Sequence, residues 1–185
     1  VRPPKQDIRM DDMAAMARRF QPRLIIADRT VGGPHENILT PEQRVPEKPL
    51  DHPWESCITM GNGWAYRPDD TYKQARDLIH LLVDIVAKGG NLLLNIGPRP
   101  DGCFDQAPLR RLREIGMWMA VNAPAIHGTR PVPPYKEGSV CFTKKGSTIH
   151  AIVLAEEHRD DPAPQVRLSG LQPPDGSEVC MLGID

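Results

Sequence analysis

The stretch DIVAKGGNLLLNIGPRPDG, residues 84–102, predicts a helix end, a strand and a loop in direct succession. Glycine readily adopts the left-handed conformation that ends helices, so Gly89 and Gly90 predict the end of the helix. The apolar run 91–96 lacks polar alternation, as expected of a strand covered on both faces. Prolines and glycines in 97–102 then predict a turn. A strand between helices indicates an α/β fold with a parallel sheet, whose functional loops follow the carboxyl ends of the strands.

The rest of the amino-terminal two thirds has the same alternating character. Apolar residues at helical spacing predict helices over residues 7–20, from Asp70 or Thr71 to Lys88, and over 106–122. Short strands are predicted at 23–27, which we expect to be buried, and at 54–60. Between them, residues 31–53 form a long connection with five prolines and little periodicity. Loops of this length in compact α/β domains commonly serve a site.

The sequence changes character near Pro131. From Ser139, alternating runs such as SVCFTKK, STIHAIVLAEE and QVRLSGL are separated by Gly, Pro and Asp, which predicts antiparallel strands. We therefore expect two regions, residues 1–130 and residues 131–185. The chain starts at Val1 and stops after a strand-like run, so we expect it to be a fragment.

Composition excludes several function classes. The 23 basic and 24 acidic residues give a net charge of −1, which suggests neither nucleic acid nor an anionic membrane surface as a partner. No apolar run reaches the ~18–20 residues that span a bilayer. The four cysteines form no CxxC pair, and the six histidines lack metal-ligand spacing, so we expect no metal and no cofactor.

Polar and aromatic residues near the predicted strand ends are the candidate site residues. Glu42 lies in the long connection and is either a proton donor or an ordinary turn carboxylate. Glu55 opens an apolar strand, where a desolvated carboxylate suits a general acid; a structural ion pair, for example with Arg29, is equally compatible. Arg29 could orient a substrate or neutralise Asp28. 

Two aromatic residues follow the strand predicted at 54–60. Trp64 and Tyr66, in a glycine-rich segment, could stack against a sugar ring or could be packing residues. The 97–102 loop lacks the GxxxxGK[ST] pattern, so we do not predict a phosphate cradle.

Together these segments resemble the α-L-fucosidases of glycoside hydrolase family 29. The resemblance is carried by VDIVAKGGNLLLNIGPRPDG at 83–102, Gly116-Met117-Trp118, AIHGTRP at 125–131, Asp28-Arg29, Trp54-Glu55 and GWAY at 63–66. It implies part of a (β/α)8-like catalytic barrel followed by the start of an antiparallel β-sandwich. It also implies retaining hydrolysis of terminal α-L-fucose from a fucosylated oligosaccharide or glycoconjugate.

The resemblance also implies roles for individual residues. Arg29 would contact the sugar, Trp64 would lie against its apolar face with Tyr66 nearby, and Glu42 or Glu55 would be the acid/base, with Glu42 slightly favoured. The family's nucleophile lies in a Trp-x-Asp-Gly segment, which does not occur in this sequence. Members are commonly secreted, periplasmic or lysosomal.

Two alternatives stay open: a non-catalytic carbohydrate-binding or structural relative, and a glycosidase of different sugar specificity on the same scaffold. A Trp-x-Asp-Gly segment immediately upstream of Val1 would favour the enzyme.

Because the nucleophile motif is missing, we expect the purified 185-residue chain alone to be inactive as a fucosidase. Incubation with 4-nitrophenyl α-L-fucoside should release no 4-nitrophenol. Measurable release of the phenol would contradict this expectation.

Overall fold

A computed structural model describes residues 7–27, 29, 33–155, 165–171 and 173–183. Asp28 and the end of the STIHAIVLAEE run therefore lie outside the described residues. The elements in chain order are α1 (Met10–Phe20), β1 (Glu55–Thr59), α2 (Ala75–Ala87), β2 (Asn91–Asn95), α3 (Gln106–Asn122), a 3-10 turn (Ala123–Ala125), β3 (Arg130–Glu137), β4 (Val140–Lys145) and β5 (Thr148–Val153).

The strands form two small sheets in a mixed α/β arrangement. Strands β1 and β2 pair in parallel, with Glu55 opposite Asn91 and Thr59 opposite Asn95. Strands β3, β4 and β5 form an antiparallel sheet in that order. Parallel strands followed by antiparallel ones agree with the sequence prediction, although antiparallel pairing begins at Arg130 rather than at Ser139.

Residues 38–42 extend the parallel sheet beyond β1. Single parallel bridges join Leu39 to Trp54 and Glu42 to Cys57, and a further bridge joins Ala27 to Ile38. Residues 33–53 hold no helix or strand, as the predicted long connection requires, but part of this connection pairs with the edge of β1. The pairing uses backbone groups, so it leaves no hydrophobic pattern in the sequence.

The predicted buried strand at 23–27 is also corrected. Its pairing in the structure is the bridge at Ala27, and the side chain of Ile25 is 71% exposed. Helix α1 shows a similar departure: Ala14 is buried, whereas Met13 and Phe20, two of the apolar residues whose spacing predicts this helix, are exposed.

Strand β2 is covered on one face rather than on both. Leu93 is 49% exposed and Asn91 is also exposed, while Leu92 and Leu94 on the opposite face are partly buried. A continuous apolar run indicates burial on average but does not say which face is covered. The open face also carries Cys57, the register partner of Leu93.

Two predicted boundaries differ for identifiable reasons. Helix α2 begins at Ala75 rather than near Asp70, because the Asp70 carboxylate accepts hydrogen bonds from the backbone N–H groups of Asn62 and Thr71 and so holds the preceding loop. Residues 165–171 are not a strand. Glu137 of β3 instead accepts hydrogen bonds from the Ser169 hydroxyl and from the backbone N–H groups of Gly170 and Ser169. These bonds, that of the hydroxyl most of all, lower the pKa of its carboxyl group.

Helix α2 ends in a Schellman motif, in agreement with the predicted stop. Gly89 has φ +83° and donates to the carbonyl of Val86, while Gly90 donates to that of Ile85. Side chains pack closely on both glycines: the ring of Pro131 lies over Gly89, and the buried indole of Trp54 lies over Gly90. The turn is therefore in contact with both sheets.

The described hydrophobic core surrounds α2. Its buried members are Val83, Ala87, Ile126 and Cys141, and the partly buried residues against them are Ile79, Leu82, Val86, Trp118, Met119, Ile152 and Leu154. These residues come from α2, α3, the turn after α3 and the antiparallel strands. Helix α2 also contacts β2, so it packs against both sheets.

We predict that Gly90→Ala destabilises the protein although its backbone conformation accepts alanine. The added Cβ would overlap the indole of Trp54, and overpacking of this kind costs about 1–3 kcal/mol in the free energy of unfolding. Gly116→Ala is the matched control, because nothing lies within 4 Å of its Cβ position inside α3. It should be neutral or stabilise by up to about 1 kcal/mol. Urea unfolding measures both, and equal effects would contradict the packing argument.

Candidate active site

Apart from Glu55, which is the first residue of β1, the candidate residues lie towards the carboxyl-end edge of the parallel sheet. Arg29 follows the bridged Ala27, Trp64 and Tyr66 follow β1, and the 97–105 loop follows β2. In parallel α/β sheets this edge is where binding and catalytic groups converge. The backbone of Ala65 and Tyr66 packs so closely on Gly97 that no Cβ would fit there.

Arg29 and Glu42 form an ion pair at this edge. The Arg29 Nη1 lies 3.1 Å from the Glu42 Oε2, and the side chains are 54% and 46% exposed. An exposed pair of this kind contributes little stability, about 0–1 kcal/mol. Its geometry matters more than its energy: a carboxylate that solvent can reach lies beside a cation.

The pKa of the Cys57 thiol depends on the charges of this ion pair. Burial of the thiol is the largest cause that raises its pKa, and the carboxylates of Glu42 and Glu55 raise it further, whereas Arg29 lowers it. All three charged groups therefore lie close enough to the thiol to shift its pKa. Strand alternation places Glu55 and Cys57 on the same, open face of the sheet.

Glu55 and Glu42 occupy different levels of the sheet. Glu55 is the first residue of β1, whereas Glu42 lies opposite Cys57, two residues nearer the carboxyl end. Two residues along a strand correspond to about 6.6 Å. The ion pair that the sequence allowed between Glu55 and Arg29 is not formed, because Arg29 pairs with Glu42. Glu55 is also only partly buried.

Trp64 and Tyr66 differ in their surroundings. Trp64 is 41% exposed. Tyr66 is partly buried; desolvation and the nearby Asp105 carboxylate raise the pKa of its hydroxyl group. Arg99 pairs with Asp101 at 2.8 Å and with Asp105 at 3.7 Å, so these two ion pairs link residues of the loop after β2.

The sequence reasoning missed Gln43 and Thr59. Gln43 has φ +53°, and its side chain bonds to Thr59 at the end of β1. Neither residue belongs to a motif, and a glutamine in the left-handed region gives no sequence signal. The side-chain Oδ1 of Asn95, opposite Thr59, is buried without a hydrogen-bond partner, a further polar group at this edge.

Across the described ranges, no group of three or more His, Cys, Asp or Glu side chains is arranged to hold a metal ion. Among the helices in that part of the chain, none is long and apolar enough to cross a membrane.

Comparison with known proteins decides the family. A family profile described as Alpha-L-fucosidase matches residues 2–124 of this chain, about two thirds of its length. The chain belongs to the α-L-fucosidase family. The matched range includes Arg29, Glu42 and Glu55.

Curated sequences and solved structures agree with this assignment. Tissue alpha-L-fucosidase of Mus musculus is 32% identical over 147 residues, which cover 76% of this chain and 32% of that protein. The human enzyme is 37% identical over 116 residues, 59% of this chain and 25% of that protein. This chain thus spans a quarter to a third of these relatives' length.

Two solved structures show the same fold over three quarters of the chain. Alpha-L-fucosidase isoenzyme 1 from Paenibacillus thiaminolyticus superimposes with a TM-score of 0.70 at 31% identity, covering 75% of this chain and 36% of that one. The Thermotoga maritima α-fucosidase in complex with a mechanism-based inhibitor gives 0.66 at 30% identity, covering 76% and 34%.

Cys57 can report on the candidate site of this α-L-fucosidase family member. Glu42→Gln removes a negative charge and should lower the Cys57 pKa, whereas Arg29→Gln removes a positive charge and should raise it. Thiolate is the reactive form, so alkylation at fixed pH should accelerate in the first variant and slow in the second. Iodoacetamide labelling across pH, followed by peptide mass spectrometry, measures both rates.

The exposed Cys103 serves as the internal reference for that labelling. Its rate should be the same in both variants. Shifts of the Cys57 profile in the same direction for Glu42→Gln and Arg29→Gln would contradict the arrangement of charges.

Proposed function

We propose that this chain is part of a retaining exo-glycosidase of glycoside hydrolase family 29, which removes terminal α-L-fucose from oligosaccharides or glycoconjugates. The observation that carries the proposal is the Arg29–Glu42 ion pair at the carboxyl-end edge of the parallel sheet. Family membership and the solved structures of α-L-fucosidases support the substrate class.

The proposed reaction needs two carboxyl groups. A nucleophilic carboxylate attacks the anomeric carbon as the acid protonates the departing glycosidic oxygen, and a covalent glycosyl–enzyme ester forms. The same acid residue, now a carboxylate, then removes a proton from water, which attacks the anomeric carbon and releases fucose and the nucleophile. The two groups would lie about 5–5.5 Å apart. The nucleophile would come from a Trp-x-Asp-Gly segment outside these 185 residues.

We assign the acid/base role to Glu42. Its carboxylate is exposed at the edge where the loops after the parallel strands converge, and the Arg29 guanidinium lies 3.1 Å from it. Glu55 lies about two residues deeper, at the start of β1, and has the role of a supporting carboxylate.

The remaining candidate residues would bind the sugar. Arg29 would contact a fucose hydroxyl as well as Glu42, and the exposed ring of Trp64 would lie against the apolar face of fucose, with Tyr66 at the rim. In this proposal residues 1–130 form the carboxyl-side part of a (β/α)8-like barrel, and residues 131–185 begin a β-sandwich. The compartment would be extracellular, periplasmic or lysosomal, as is common in the family.

The roles of the two glutamates should separate kinetically in the natural protein that carries this chain. Removing the acid impairs departure of poor leaving groups far more than of activated ones, because activated groups need no proton. Glu42→Ala should therefore lower kcat/KM for a natural fucosylated oligosaccharide by about 10²–10⁴-fold. An activated aryl fucoside should lose much less, and azide should restore turnover where deglycosylation is limiting.

Glu55→Ala is the matched control. It should lower activity similarly for both substrates, with no rescue by azide. Azide rescue of the Glu55 variant and not of the Glu42 variant would reverse the assignment.

A further inference from the structure

Few contacts fix the position of the Glu42 side chain. The side chain is 46% exposed, and Arg29 is itself 54% exposed. The backbone is better defined: Cys57 N–H donates to the Pro41 carbonyl at 3.0 Å, and Gln43 N–H donates to the Cys57 carbonyl at 2.9 Å. These two bonds pair the backbone of Glu42 with β1 at one position, opposite Cys57.

The chain leaves β1 immediately after Glu42. Gln43 has φ +53°, in the left-handed region that glutamine seldom occupies. This conformation costs free energy for a residue with a Cβ, roughly 1–2 kcal/mol, and persists where surrounding contacts impose it. The contacts in question are those of the Gln43 side chain.

Both ends of the Gln43 amide bond to one residue. Its Nε2 donates to the Thr59 Oγ1 at 2.9 Å, and its Oε1 accepts from the Thr59 N–H at 3.3 Å. Thr59 is a rigid anchor: it is 2% exposed, its hydroxyl donates to the Gly61 carbonyl at 2.7 Å, and its carbonyl accepts from the Lys73 Nζ at 2.6 Å.

We infer that Gln43 is a positioning residue for the acid/base: its clamp on Thr59 fixes the turn after Glu42 and thereby the place of the Glu42 carboxylate at the site. The inference rests on the proposed function. Gln43 does not touch the reacting atoms in this scheme. Because Gln43 acts through Glu42, replacing Gln43 should impair the acid/base step in part and should leave the protein folded.

Gln43→Asn separates the clamp from the backbone conformation. Asparagine tolerates the left-handed region but is one methylene too short to hold both Thr59 bonds. Displacing a catalytic group by about 1 Å can cost about 10²-fold, so kcat/KM for a poor leaving group should fall about 10–100-fold. An activated aryl fucoside should change little, and the melting temperature should stay close to that of the parent.

Variants at Thr59 test the other half of the clamp. Thr59→Val removes the hydroxyl with little change of shape and should reproduce the dependence on the leaving group, whereas Thr59→Ser keeps the hydroxyl and should retain activity. Gln165→Asn, at an exposed position on residues 165–171, is the matched control and should leave both substrates unaffected.

The results in the natural protein distinguish two failures. If Gln43→Asn lowers activity equally for both substrates while Glu42→Ala does so unequally, the inference is overturned and the proposed function stands. If Glu42→Ala itself lowers activity equally for both substrates, the assignment of Glu42 as the acid/base is overturned, and the inference with it.

Discussion

The turn at Gly89 and Gly90 is the constraint on which the described structure depends. Gly89 takes the left-handed conformation that ends α2, with Pro131 of β3 on it, and Gly90 leaves room for the indole of Trp54. Trp54 immediately precedes β1, so one turn relates the helix, the parallel sheet and the antiparallel sheet. Any side chain at Gly90 would displace Trp54 and with it the start of β1.

The position of β1 then determines the candidate site. Residues 39–42 bond to its edge in parallel register, which places Glu42 beside Cys57 and within reach of Arg29. Thr59, the last residue of β1, receives the side chain of Gln43. The backbone ladder thus supplies the coarse position of Glu42, and side-chain contacts at the carboxyl end supply the fine one. Substitutions along this strand would therefore displace the proposed acid/base.

The sequence predicts elements with a strong local signal and misses those defined by pairing. Helix α3, Gln106–Asn122, matches its predicted bounds because its periodicity is long and regular. Residues 38–42 lack such a pattern, since a short edge segment is stabilised by backbone bonds to β1 rather than by its own side chains. The sequence also allowed Arg29 and Glu42 to be named as candidate residues. Their contact with each other, and the bonds between Gln43 and Thr59, depend on tertiary structure and could not be predicted.

A crystal structure of the natural protein with a fucose-configured, non-hydrolysable substrate analogue tests the central claim most directly. The account predicts a Glu42 carboxylate oxygen within about 2.6–3.2 Å of the glycosidic oxygen position. It also predicts a second carboxylate about 5–5.5 Å from Glu42, on the opposite side of the anomeric carbon. A glycosidic oxygen that lies beside Glu55, with Glu42 turned away from the sugar, would contradict the account.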